Sequence, residues 1–97
     1  MLAVIFKATI AEFDQEYFST AQRLKDLAFD KYGCRDFVSV TEGDQEIAIS
    51  YWDSLEQITA WKRDPQHSQA QQSGRQKWYR AYRVQVVKIE REYSHQW

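Results

Sequence analysis

The chain of 97 residues contains no asparagine, one cysteine, one proline, one methionine and three glycines. Each scarcity excludes something. A lone Cys34 cannot close an internal disulfide, which fits a reducing compartment. It sits between Gly33 and Arg35, in turn chemistry. His67 and His95 are the whole histidine complement, and no metal cluster is expected from them. The formal charge is -1, so the chain offers no basic field for nucleic acid or a membrane surface. Arg75, Lys77, Arg80 and Arg83 are spread along one segment rather than clustered. The apolar run from Leu2 to Phe6 ends at Lys7, far short of the ~20 residues of a membrane span and too short for a signal peptide. No glycine-rich nucleotide loop and no Ser–His–Asp pattern stands out. These observations predict one cytoplasmic domain with no nucleic-acid or membrane partner.

Aromatic residues are plentiful, at 15% of the chain. Three of the four tryptophans, Trp52, Trp61 and Trp78, fall between Tyr51 and Arg83 together with His67. A segment this aromatic either fills a core or lines a pocket for an organic ligand.

Because glycine and proline are rare, each works as punctuation. Residues 2–9 alternate as a strand with both faces apolar. Residues 14–32 form a helix with Tyr17, Ala21, Leu24 and Ala28 on one face, stopped by Gly33. Strands 36–42 and 46–52 flank the turn Glu42-Gly43-Asp44-Gln45 as a hairpin. Asp53 with Glu56 reads as a capping box for a helix carrying Leu55, Ile58 and Trp61. Asp64 caps a further helical segment with Pro65 at its first position, running to about Lys77 or Tyr79. Residues 81–93 form the last strand, with a bulge suggested between Val86 and Val87.

The order strand, helix, strand, strand, helix, strand predicts an α+β fold, the ferredoxin-like βαββαβ arrangement with a four-stranded antiparallel sheet. Helices cover one face. The other face is apolar, and a second copy of the chain is its simplest cover, which predicts a homodimer.

The stretch Ser50-Tyr51-Trp52-Asp53-Ser54 with Ala60-Trp61-Lys62 and Pro65-Gln66-His67 resembles the antibiotic biosynthesis monooxygenase (ABM) family. So do Gly74-Arg75, Tyr82-Arg83, Glu90-Arg91-Glu92-Tyr93, the opening Ala3-Val4-Ile5-Phe6 and Phe37-Val38-Ser39-Val40. The resemblance covers nearly the whole chain. It implies the dimeric α+β barrel and, for activity, cofactor-free oxidation of a small aromatic phenol or quinol by oxygen. Two other readings stay open: a non-catalytic or stress-related dimer that binds an aromatic ligand, and haem binding or degradation. Haem degraders of this type resemble the chain at Trp61, but they use an asparagine on the first strand, and Gln71 stands where their haem-ligating histidine falls.

The candidate catalytic residues are Trp61, His67 and Arg83. Trp61 is either core packing or a pocket wall. His67, at the third position of its helix, is kept neutral by the helix N-terminus and is able to act as a base. Arg83, with Gln85 on the same side, holds an anion if it faces the helices and is solvated or interfacial if it does not. Tyr51, Trp52, Trp78 and Tyr82, with Tyr79, are candidate substrate-binding walls. Glu12, Glu16 and Glu46 read as surface carboxylates. No cofactor is expected, since a deprotonated phenol in a dry pocket can give an electron to oxygen directly.

Overall fold

Alternation along the first strand sets the architecture. In the computed structural model, which describes residues 1–97, β1 spans Leu2–Ile10 and its even-numbered side chains turn toward the helices. It pairs antiparallel with β3 (Gln45–Trp52) on one side and β4 (Tyr79–Lys88) on the other, with β2 (Asp36–Glu42) beyond β3. The sheet order is β2-β3-β1-β4. This is the expected ferredoxin-like α+β fold, with four antiparallel strands.

The helices are α1 (Gln15–Tyr32), α2 (Leu55–Arg63) and α3 (Pro65–Ser73), followed by a π-helical turn at Gly74–Trp78. The expected segment from Pro65 to about Lys77 is thus an α-helix that widens in its last turn. All pack on one face of the sheet. Val4 and Trp52 meet Ala28 of α1 and Ile58 and Trp61 of α2 in one core cluster. Ala8 and Ile10 meet Tyr17 and Trp78 in a second.

Local chemistry fixes the ends. Asp14 caps α1 by accepting the Tyr17 N–H at 2.7 Å, and it also accepts from Trp78 Nε1 at 3.3 Å, tying the π turn to the start of α1. Gly33, at φ 80°, ends α1 in the left-handed conformation that glycine reaches without strain. Asp64 caps α3 through the Gln66 N–H. The Tyr32 hydroxyl donates to its other oxygen at 2.7 Å, and these bonds hold the carboxyl below its ordinary pKa.

Three expectations need correction. The cap of α2 is Ser54, not Asp53. Ser54 Oγ accepts the Gln57 N–H, and Gln57 Oε1 returns to the Ser54 N–H. The Asp53 carboxylate is held instead by the Arg35 guanidinium at 3.0 Å. The last strand is 79–88 rather than 81–93, because Lys88 pairs with Leu2 and β1 offers no further partner; beyond it only the Ile89 N–H reaches back, to the Met1 carbonyl. The irregularity lies not at Val86–Val87, which pair regularly with Val4 and Ala3, but opposite Thr9–Ile10. Val84 and Val86 lie on the helix side and Val87 on the other, as strand alternation requires.

No helix covers the opposite face. By strand parity it carries Ile5, Ile47, Ile49 and Tyr51 in the centre and Val38 and Val40 on β2, the last two 48% and 59% exposed. No helix in the chain is long and apolar enough to cross a membrane.

Candidate functional site

Between the sheet and its helices lies a cavity of about 190 Å³. Its floor is unusual for a core-facing sheet surface. On β3 the inward residues before Trp52 are Glu46, Ala48 and Ser50, and the small Ala48 and Ser50 leave space that larger side chains would fill. Phe6 and Tyr82 extend the floor across β1 and β4; Tyr17 and Leu24 of α1 roof it from one side, and Trp61 and His67 from the other.

Trp61 is 8% exposed and packs on Trp52 with ring centroids 5.2 Å apart. Its indole N–H donates to the Leu24 carbonyl of α1 at 3.2 Å. That bond fixes the ring as a wall and leaves no donor for a ligand.

The His67 ring lies edge-on to Trp61, 4.5 Å between centroids. Its Nδ1 is enclosed and has no hydrogen-bond partner. Burial, reinforced by the Lys62 ammonium, holds the imidazole below the ordinary histidine pKa. The ring is therefore neutral at pH 7, as expected, but its burial is the main cause rather than its place at the helix start. His67 lines the cavity, and a neutral imidazole is able to accept a proton there.

Glu46 is the residue that sequence reasoning missed. It is 8% exposed and lies on the cavity floor. Its hydrogen bond comes from the Thr41 hydroxyl on the neighbouring strand. Burial raises its pKa, against the Thr41 bond, which lowers it. Burial and the Glu46 charge push Tyr79 up to about 12 and move Tyr17 upward as well. A signal for Glu46 was present: it shares parity with Ala48, Ser50 and Trp52, whereas the large residues Ile47, Ile49 and Tyr51 occupy the opposite face.

Of the other sequence-selected residues, Tyr82 lines the cavity, with its hydroxyl accepting from Arg75 Nε at 2.9 Å. Tyr79 lines it too, its ring lying over Gly74. Tyr51 and Arg83 do not join them. Both alternate onto the helix-free face, Arg83 opposite Lys7 and Tyr51 opposite Ala3. Trp52 and Trp78 are buried core residues rather than cavity walls, bonded through their ring N–H groups to Ser50 Oγ at 2.8 Å and to Asp14. No three His, Cys, Asp or Glu side chains converge in a metal-binding group.

The geometry can be set beside known proteins. The structure of SnoaB, a cofactor-independent oxygenase from Streptomyces nogalater, matches with a TM-score of 0.78 at 12% identity over 94% of each chain. The structure of an antibiotic biosynthesis monooxygenase matches with a TM-score of 0.74 at 11% identity, over 92% of this chain and 98% of that one. The chain is thus a protein of the antibiotic biosynthesis monooxygenase fold class. YqjZ of Bacillus subtilis, an uncharacterised protein, is 41% identical over 91 residues, which cover 93% of this chain and 80% of YqjZ. The chain belongs to the same family as YqjZ. No protein-family model matches it.

Proposed function

We propose that the protein oxidises a small aromatic phenol or quinol with molecular oxygen, using no cofactor. The observation that carries this reading is a neutral His67 packed on Trp61 in the lining of a cavity of about 190 Å³ walled by aromatic rings. His67 takes the phenolic proton. The electron-rich phenolate then gives an electron to oxygen, and the resulting radical pair joins at ring carbon. Loss of water from that hydroperoxide leaves the quinone, so one phenol and one oxygen molecule give one quinone and one water. A hydroquinone gives its quinone and hydrogen peroxide instead. The protein's share is a dry site, a base and a fixed ring orientation. SnoaB, whose fold this chain shares, is a cofactor-independent oxygenase, and that likeness supports the reading.

The rival is a binding protein with no turnover. It is favoured by the position of Arg83, which leaves Lys62 as the cation at the cavity. In either case a second copy of the chain covers the helix-free sheet face, where Ile47, Ile49, Val38 and Val40 form an apolar surface.

Oxygen uptake by the purified protein against a panel of phenols and hydroquinones, with His67→Ala alongside, separates the two. Uptake that falls by roughly 10²-fold or more in the variant supports a base. Uptake that His67→Ala leaves unchanged removes His67 from the mechanism. Binding without uptake selects the rival.

A further inference from the structure

The buried carboxyl at the far end of the cavity has no role in that chemistry. Buried glutamates are rare unless a cation pairs with them. Glu46 has no salt bridge, and one hydroxyl donor is its side-chain hydrogen-bonding. Its surroundings are specific. Glu46 and Tyr82 flank Ala8 from the two neighbouring strands, and the alanine methyl leaves a gap between them. Phe6 lies 6.2 Å from Tyr82 and 5.4 Å from Tyr79, centroid to centroid, and Tyr17 lies 6.5 Å from Tyr79. Four aromatic rings and one carboxyl thus gather at one end. Aromatic faces and an unpaired carboxylate both attract the same thing, an organic ammonium.

The opposite end has the opposite character. His67 packs on Trp61, which packs on Phe37, the cross-strand partner of Ser50. Lys62 also lines the cavity and lies near enough to His67 to lower its pKa. Glu46 and Ser50 are four residues apart on β3, which is about 13 Å at roughly 3.3 Å per residue. The cavity thus runs from the Glu46 carboxyl at one end to the Lys62 ammonium at the other. A cavity of about 150 Å³ accepts benzene, so this one, at about 190 Å³, takes one ring with a short arm.

Resting on the phenol reading above, we propose that the ligand is an aromatic phenol bearing an aliphatic amine, with its hydroxyl at His67 and its ammonium held by Glu46 within the ring of Phe6, Tyr17, Tyr79 and Tyr82. Glu46 is then a specificity residue that touches the ligand away from the reacting hydroxyl.

The test compares two probes that differ only by the terminal amine: 4-(2-aminoethyl)phenol and 4-ethylphenol, each titrated calorimetrically. The amine is expected to bind roughly tenfold tighter or more, and Glu46→Gln is expected to bring that ratio to about one. The wild-type ratio also falls as pH drops and Glu46 takes up a proton. The other titratable or charged groups around Glu46 are the Tyr17 phenol on α1, the Tyr79 and Tyr82 phenols on β4 and the Arg75 guanidinium bonded to the Tyr82 hydroxyl, with Lys62 and His67 at the far end. Because both probes present the same hydroxyl to His67, its titration cancels in the ratio. A wild-type ratio of one, with 4-ethylphenol bound, overturns this inference and leaves the phenol reading standing. A ratio that survives Glu46→Gln also overturns it. Should that variant fail to fold, the wild-type pH series decides, and a flat ratio is the refuting result. Failure of both probes to bind overturns the inference and the phenol reading together.

Discussion

A methyl group at Gly74 should destabilise the protein, and only because of Tyr79. Gly74 has ordinary right-handed helical angles, φ -59° and ψ -46°, so no glycine-only conformation requires it. What requires it is space. A Cβ there would stand 2.7 Å from Cδ2 of Tyr79 and closer still to Cε2. Two effects oppose. Replacing a helical glycine by alanine gains up to about 1 kcal/mol. Forcing an atom into a packed contact costs about 1–3 kcal/mol. The ring can move only at the expense of Phe6, Tyr17 and Tyr82, which pack on it, so the cost prevails, with a net loss of about 1–2 kcal/mol. For a domain of this size that lowers the melting temperature by about 5–15 °C. The assay is a double-mutant cycle by thermal and urea unfolding, with Tyr79→Val as the second change. In that background the clash is gone, so Gly74→Ala should become neutral or stabilise by up to about 1 kcal/mol. A change of sign is the expected signature. Equal destabilisation in both backgrounds would refute the reasoning and place the role of Gly74 in the π turn itself.

Trp61→Phe keeps an aromatic wall but loses the bond to the Leu24 carbonyl, for about 1 kcal/mol; Trp61→Ala should cost about 3–5 kcal/mol, read as midpoint shifts in urea. His67 contributes acid sensitivity: its pKa is lowered on folding, so the unfolded chain binds the extra proton and stability falls as pH drops below about 6.5. His67→Gln should flatten that part of the stability profile. Glu46 acts in the opposite sense. Its pKa is raised on folding, so stability falls as pH rises from the free carboxyl range through that raised value, and Glu46→Gln should be more stable than wild type at pH 7, with the advantage gone at pH 3. Ile49→Lys, on the helix-free sheet face, should give a monomer by light scattering at micromolar concentration where the wild type gives a dimer; a wild-type monomer would remove the argument from the uncovered face.

Much of the fold was legible because its signals are local. Gly33 and Gly43 mark chain reversals, Pro65 marks a helix start, and period-two alternation marks the strands. The cap of α2 was misplaced by one residue because the competition between Asp53 and Ser54 is settled by Arg35, eighteen positions before Asp53. The last strand was overextended because its length depends on how far β1 reaches, not on its own composition.

The sequence by itself determined the element order, the apolar character of both sheet faces, the aromatic content of one segment and the resemblance to the ABM proteins, since these follow from neighbours along the chain and from period. Only the tertiary structure decided which candidates meet. Strand parity fixes that odd and even residues part, but not which parity faces the helices. That choice, made by the packing of α1, α2 and the π turn on Val4, Ala8 and Trp52, sent Tyr51 and Arg83 to the far face. The same choice brought Glu46 inside, into one cavity with His67 and Tyr82.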